Sequence, residues 1–163
     1  MLMLTGEYEH TIDEKNRLFI SNKLRSQIDT HLYGSDFYLA MGANGILSLY
    51  PEKSFQQIAL AGAPGTGAPD ETVAYERLSF ALAGKVELDR QGRLLINEKL
   101  KKRAHLGTDL TLVGVGDHIE LWNSEDWERY LSDNIETYQT QVAKGRQAQI
   151  QRQSQKIEQN SEY

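Results

Sequence analysis

Cysteine is missing from this 163-residue chain. Its absence removes disulfide bonds, thiol nucleophiles and cysteine-based structural zinc sites. Proline is scarce, and two of the three prolines, Pro64 and Pro69, fall in one glycine-rich stretch. No apolar run approaches the ~20 residues that a bilayer-spanning helix needs. The opening Met1-Leu2-Met3-Leu4-Thr5-Gly6-Glu7 has neither the basic region nor the apolar core of a secretory signal. The expectation is a cytoplasmic protein with no membrane partner. Histidine is sparse too, and none of His10, His31, His105 and His118 forms the i,i+4 pair of a zinc-binding helix. Ser21, Ser48, Ser54 and Ser79 lack a nucleophile-elbow context. Asp13 and Asp89 each stand near an arginine, which favours the ionised carboxylate over a general acid. No enzyme activity, metal or cofactor is expected.

Net positive charge is also lacking. The formal charge is −5, which counts mildly against nucleic acid, because neutralising phosphates drives that affinity. The distribution matters more than the total. The bases gather after two aspartates: Lys15, Arg17, Lys23 and Arg25, then Arg90, Arg93, Lys99, Lys101, Lys102 and Arg103. An acidic protein can bind a polyanion when its bases share one face.

Those two clusters belong to an internal repeat. Ile12-Asp13-Glu14-Lys15-Asn16-Arg17-Leu18-Phe19-Ile20 returns as Leu88-Asp89-Arg90-Gln91-Gly92-Arg93-Leu94-Leu95-Ile96. Lys23-Leu24 and Lys99-Leu100 follow at the same offset, and each copy ends in an apolar strand pattern and a helix start with an aromatic residue. A single duplication suggests paired small domains rather than a solenoid. Each half alone would bury only a marginal core, so the halves are expected to fuse with each other or with other subunits.

Each unit reads as strand, strand, short helix, strand, strand, helix. Glu7 to Asp13 alternates, with Tyr8, His10 and Ile12 on one side. Asp13 to Asn16 reads as a turn, because aspartate bonds backbone amides further on and asparagine tolerates left-handed geometry. Gly92 holds the Asn16 position in the second copy. Ser21 and Asn97 are set to cap short helices, the first running to about Asp29 or Thr30. A helix from Pro51 to about Leu60 should pack Phe55 and Ile58. Ala61 to Pro69 reads as a flexible connector, since it lacks the Lys-Ser/Thr ending of a phosphate loop. Asp70 starts a helix to about Ala83. Beyond Ile135 the chain turns glutamine-rich, and Val142, Ile150 and Ile157 form too thin a stripe to establish a coiled coil. A mobile or partly helical tail is expected there.

Asp13/Arg17 and Asp89/Arg93 admit two readings. A loop-bracing ion pair is one, worth little at a surface. A rigid arginine fork aimed at phosphate or a guanine edge is the other. The motif alone does not choose.

Taken together, Gly6 to Lys15, Gly84 to Leu94, and Leu112 to Trp122 followed by Trp127 resemble the MraZ family, the bacterial transcriptional regulators of the division and cell wall gene cluster. The resemblance covers about residues 1–131. It implies a mixed, mainly β fold with short helices: two tandem AbrB-like swapped-hairpin domains of SpoVT-AbrB type, forming a pseudo-symmetric double unit. The corresponding boundaries are residues 5–55, a connector over 56–83, residues 84–131, and a tail over 132–163. It further implies a ring-like homo-oligomer that binds tandem repeats in double-stranded promoter DNA, at the nucleoid, and represses its own cluster. One D-x-x-x-R motif per half carries over as Asp13 with Arg17 and Asp89 with Arg93. The arginines would contact DNA, and Lys15 and Arg90 would hold phosphates. The family usually has Gly where Asn16 stands and Pro where Ser21 and Asn97 stand, changes that a turn-forming Asn and capping side chains absorb. Competing readings are an AbrB-like antitoxin or transition-state regulator, and a structural oligomerisation module that binds no DNA.

Overall fold

The computed structural model describes residues 1–61 and 70–161, and its elements follow the repeat. The first copy supplies β1 (Glu7–Thr11), β2 (Arg17–Phe19), α1 (Asn22–Arg25), α2 (Thr30–Tyr33), β3 (Phe37–Met41), β4 (Leu47–Pro51) and α3 (Glu52–Ala61). After α4 (Asp70–Ala81), the second supplies β5 (Gly84–Val86), β6 (Arg93–Leu95), α5 (Glu98–Arg103), β7 (Asp109–Gly114), β8 (Ile119–Asn123) and α6 (Ser124–Ser161). Of the connector expected over Ala61 to Pro69, residues 62–69 lie outside the described residues.

Local chemistry sets most boundaries. The Ser21 hydroxyl and the Asn97 carboxamide oxygen accept backbone N–H groups of Leu24 and Lys99 at the starts of α1 and α5. The helix expected from Ser21 to about Asp29 or Thr30 is shorter and ends at Arg25. Asp29 is extended, and its carboxylate accepts the His31 N–H at 2.9 Å, opening α2 instead of continuing α1. Of the two residues expected to pack α3, Phe55 does so, stacked on Tyr38 at 4.5 Å between ring centroids. Ile58 stays exposed.

A six-stranded antiparallel sheet runs in the order β1-β7-β8-β4-β3-β5, and β2 and β6 form a separate two-stranded ribbon. The order interleaves the copies. β1 of the first copy pairs with β7 of the second, from Glu7↔Val113 to Thr11↔Asp109. In return β5 of the second pairs with β3 of the first. The copies meet at the middle, where Leu47 opposes Leu121 and Leu49 opposes Ile119. Each copy therefore gives its first strand to the other's sheet, and its second to the shared ribbon.

One core fills the space between ribbon and sheet. Leu18, Ile20 and Leu24 from the first copy and Leu94, Ile96 and Leu100 from the second join Leu39, Leu47, Leu49, Leu110, Leu112, Ile119 and Leu121. Each fully buried Leu or Ile contributes roughly 1.5–3 kcal/mol of transfer free energy, so the pooled core supplies what neither half could hold alone. The chain divides into one compact unit over Met1–Ser124 and a second from Glu125 onward.

From Glu125 the second unit is α6, which runs without a break to Ser161 within the segment expected to be mobile or partly helical. Its glutamine, glutamate, lysine, arginine and alanine residues favour helix, and no proline interrupts them. Tyr130, Ile135, Tyr138, Val142 and Ile150 stand exposed along it. Among the described residues, no helix is long and apolar enough to cross a membrane.

Candidate nucleic-acid interface

The turns before β2 and β6 are built alike, bond for bond. The Asp13 N–H donates to the Arg17 carbonyl at 3.0 Å, and the Asp89 N–H to the Arg93 carbonyl at 2.7 Å. Asp13 Oδ1 accepts the N–H groups of Lys15 and Arg17, both at 2.9 Å. Asp89 Oδ1 accepts those of Gln91 at 2.8 Å and Arg93 at 3.0 Å. The second carboxylate oxygen takes the arginine Nε, at 2.6 Å in Asp13–Arg17 and 2.8 Å in Asp89–Arg93. Asn16 and Gly92 occupy the left-handed position in each turn, with φ of 58° and 77°. Their carbonyls lock the turns across the ribbon: Ile96 N–H donates to Asn16 O at 2.8 Å, and Ile20 N–H to Gly92 O at 2.9 Å.

The copies differ in what covers this position. The Asn16 side chain accepts from Lys101 Nζ at 2.8 Å and donates to Glu98 Oε2 at 2.5 Å. Arg25, the counterpart of Lys101, instead lies over Gly92, its Cζ 2.9 Å from where a Cβ would stand. Arg25 is held there by Ile20 O at 2.9 Å and by the Asn22 side chain.

Both aspartates are held below the usual carboxylate range, first by the N–H of Arg17 or Arg93 and then by its side chain. A depressed folded pKa adds stability above the unfolded value, near 4, that is lost as pH falls through the folded one. The double substitution Asp13→Asn, Asp89→Asn should therefore lower the thermal midpoint at pH 7, with the gap to the parent closing in acid. Thermal unfolding across pH 3–7 checks this; a gap independent of pH would mean that the carboxylate charge contributes nothing.

The sequence-derived site residues fall into two groups. Arg17 and Arg93 come together on the outer face of the ribbon, because Arg17 opposes Leu95 and Arg93 opposes Phe19. The two arginines are diagonal neighbours, about 7–8 Å apart at the backbone. Nε of each is committed to aspartate, which leaves both Nη groups without a partner among the described residues. The fork is thus oriented from behind and open in front, as bidentate contact with a guanine edge or a phosphate requires. Lys15 and Arg90 do not join the pair. They lie exposed in the two turns, at opposite ends of the antiparallel ribbon. A two-stranded ribbon fits the DNA major groove.

Two ribbon residues escaped the sequence reading. Phe19 and Leu95 are exposed at 40% and 62%, on the same outer face as the arginines. The available signal was parity: each stands two positions after an arginine in a strand, hence on the arginine's side. No group of three or more potential metal ligands occurs among the described residues.

The model of one protein family, described as "MraZ protein, putative antitoxin-like", matches residues 3–65 and 79–150. Curated relatives named transcriptional regulator MraZ match along most of their length. That of Heliobacterium modesticaldum is 34% identical over 139 residues, 84% of this chain and 92% of the relative. That of Clostridium tetani is 35% identical over 82% of this chain and 91% of its own. For Moorella thermoacetica the figures are 33%, 87% and 96%.

Proposed function

The chain belongs to the MraZ family, and from that membership we propose that it is a sequence-specific DNA-binding transcriptional regulator that represses its own division and cell wall gene cluster. The observation that carries the reading is the pair of Asp-braced arginine turns on one ribbon face. Each turn fixes its guanidinium through Nε and leaves the Nη pair open. Arg17 and Arg93 contact base edges, Lys15 and Arg90 hold phosphates, and Asp13 and Asp89 orient the arginines without touching DNA.

An acidic chain with a small basic face binds one site weakly. A ring of copies places many such faces over tandem promoter repeats, and effective concentration raises the combined affinity by orders of magnitude. Such a complex covers the promoter, which gives repression a direct cause. The protein acts in the cytoplasm, at the nucleoid. The test is retention of DNA from upstream of the encoding gene against scrambled DNA of equal length, across a salt series. Preferential retention that falls as salt rises is expected. Equal retention of both at every salt concentration would leave only a structural oligomer.

A further inference from the structure

The outer face of the ribbon is a two-by-two array of alternating character. Arg17 stands opposite Leu95, and Phe19 opposite Arg93, while Leu18 and Leu94 point the other way into the core. Scattered exposed apolar side chains are ordinary on protein surfaces and need no explanation. These two differ because they occupy equivalent positions in both copies of the repeat, each beside an arginine. Phe19 is also held in place. The His10 ring meets it edge-on at 6.0 Å between centroids, and the Arg25 guanidinium lies over its ring at 5.9 Å. Arg25 is itself fixed by the Ile20 carbonyl. The ring therefore presents an apolar surface that costs little conformational entropy on contact.

Within the major groove, base edges offer hydrogen-bonding groups and one apolar group, the thymine 5-methyl. A face that pairs each arginine with an apolar side chain matches a guanine beside a thymine. We propose that Phe19 and Leu95 read thymine methyl groups next to the guanines contacted by Arg93 and Arg17, making each cross-strand arginine–apolar pair a two-base reader. Phe19, with its supported ring, is the stronger of the two. The proposal rests on the DNA-binding reading above, and adds specificity determinants to it.

The test removes only the methyl groups. The DNA upstream of the encoding gene is amplified once with dTTP and once with dUTP, and both fragments are titrated with the intact protein and with the variants Phe19→Ala, Phe19→Leu and Leu95→Ala. The parent protein should bind the uracil fragment about threefold to fivefold more weakly per methyl contacted, the transfer value of one such group. Phe19→Ala should lose most of that discrimination, Phe19→Leu should keep part of it, and Leu95→Ala should lose the smaller share. Circular dichroism and sizing confirm that the variants fold and assemble. Equal binding of thymine and uracil fragments by the parent would overturn the proposal while leaving the regulator reading intact. So would discrimination retained in Phe19→Ala, or a changed oligomeric state with unchanged discrimination, which would make Phe19 a contact between copies. Failure of the parent to prefer the upstream thymine fragment over scrambled DNA would instead overturn the regulator reading, and this proposal with it.

Discussion

Arg17→Gln combined with Arg93→Gln is expected to abolish preference for the upstream DNA while leaving the fold in place. Each bidentate arginine–guanine contact is worth about 1–3 kcal/mol of discrimination, so the single variants should each lose roughly fivefold to 150-fold and the pair should lose the product. Glutamine keeps much of the side-chain length but cannot present the five-donor fork. Lysine would restore the charge, and with it the non-specific, salt-dependent part of binding, but not the preference. The fold should tolerate all of these changes, because both arginine side chains lie on the outer face and their half-exposed, solvent-screened ion pairs contribute little stability. Filter binding or fluorescence anisotropy against specific and scrambled DNA, with thermal unfolding alongside, separates the outcomes. Normal specific binding by the double variant would show that Arg17 and Arg93 only brace their loops.

Leu18→Ala and Leu94→Ala should each destabilise Met1–Ser124 as a whole. Both leucines are fully buried, at 0% and 1% exposure, in the same core cluster. A Leu→Ala change at such a site costs about 2–5 kcal/mol from lost transfer energy and the cavity left behind. That is a large share of the roughly 5–15 kcal/mol that holds a typical domain folded. Because β1 and β5 are exchanged between the copies, either change should weaken both halves in one cooperative transition. Calorimetry of the full chain is the measurement. Two separate transitions, with only one shifted by each substitution, would establish that the repeats fold independently and that the exchanged strands matter little.

The duplication shows what was legible from residues alone. Turn chemistry is local: an aspartate, a residue able to adopt positive φ, and an arginine four positions on suffice to write the same set of bonds twice. The contrast between Asn16 and Gly92 was readable for the same reason, since both side chains permit that geometry. Caps at Ser21 and Asn97 depend on one side chain and the next few amides. The helix from Ser21, expected to reach about Asp29 or Thr30, stops at Arg25, and the short α2 after it was missed, because an aspartate–amide bond at Asp29 opens it. Along the tail the apolar stripe is thin, whereas helix propensity is additive along the chain, which accounts for the unbroken α6.

What the sequence by itself determined is the repeat, its turns, the strand and helix order, the family, and the identity of the paired arginines. Only the tertiary structure decided that β1 and β5 cross over, that the second strands of both copies form one ribbon, and that Phe19 and Leu95 share a face with the arginines. The physical reason is that turns and caps close over a few residues, while strand pairing is a choice among distant edges. That choice follows from where the pooled core can be buried best, a property of both halves together that neither half encodes alone.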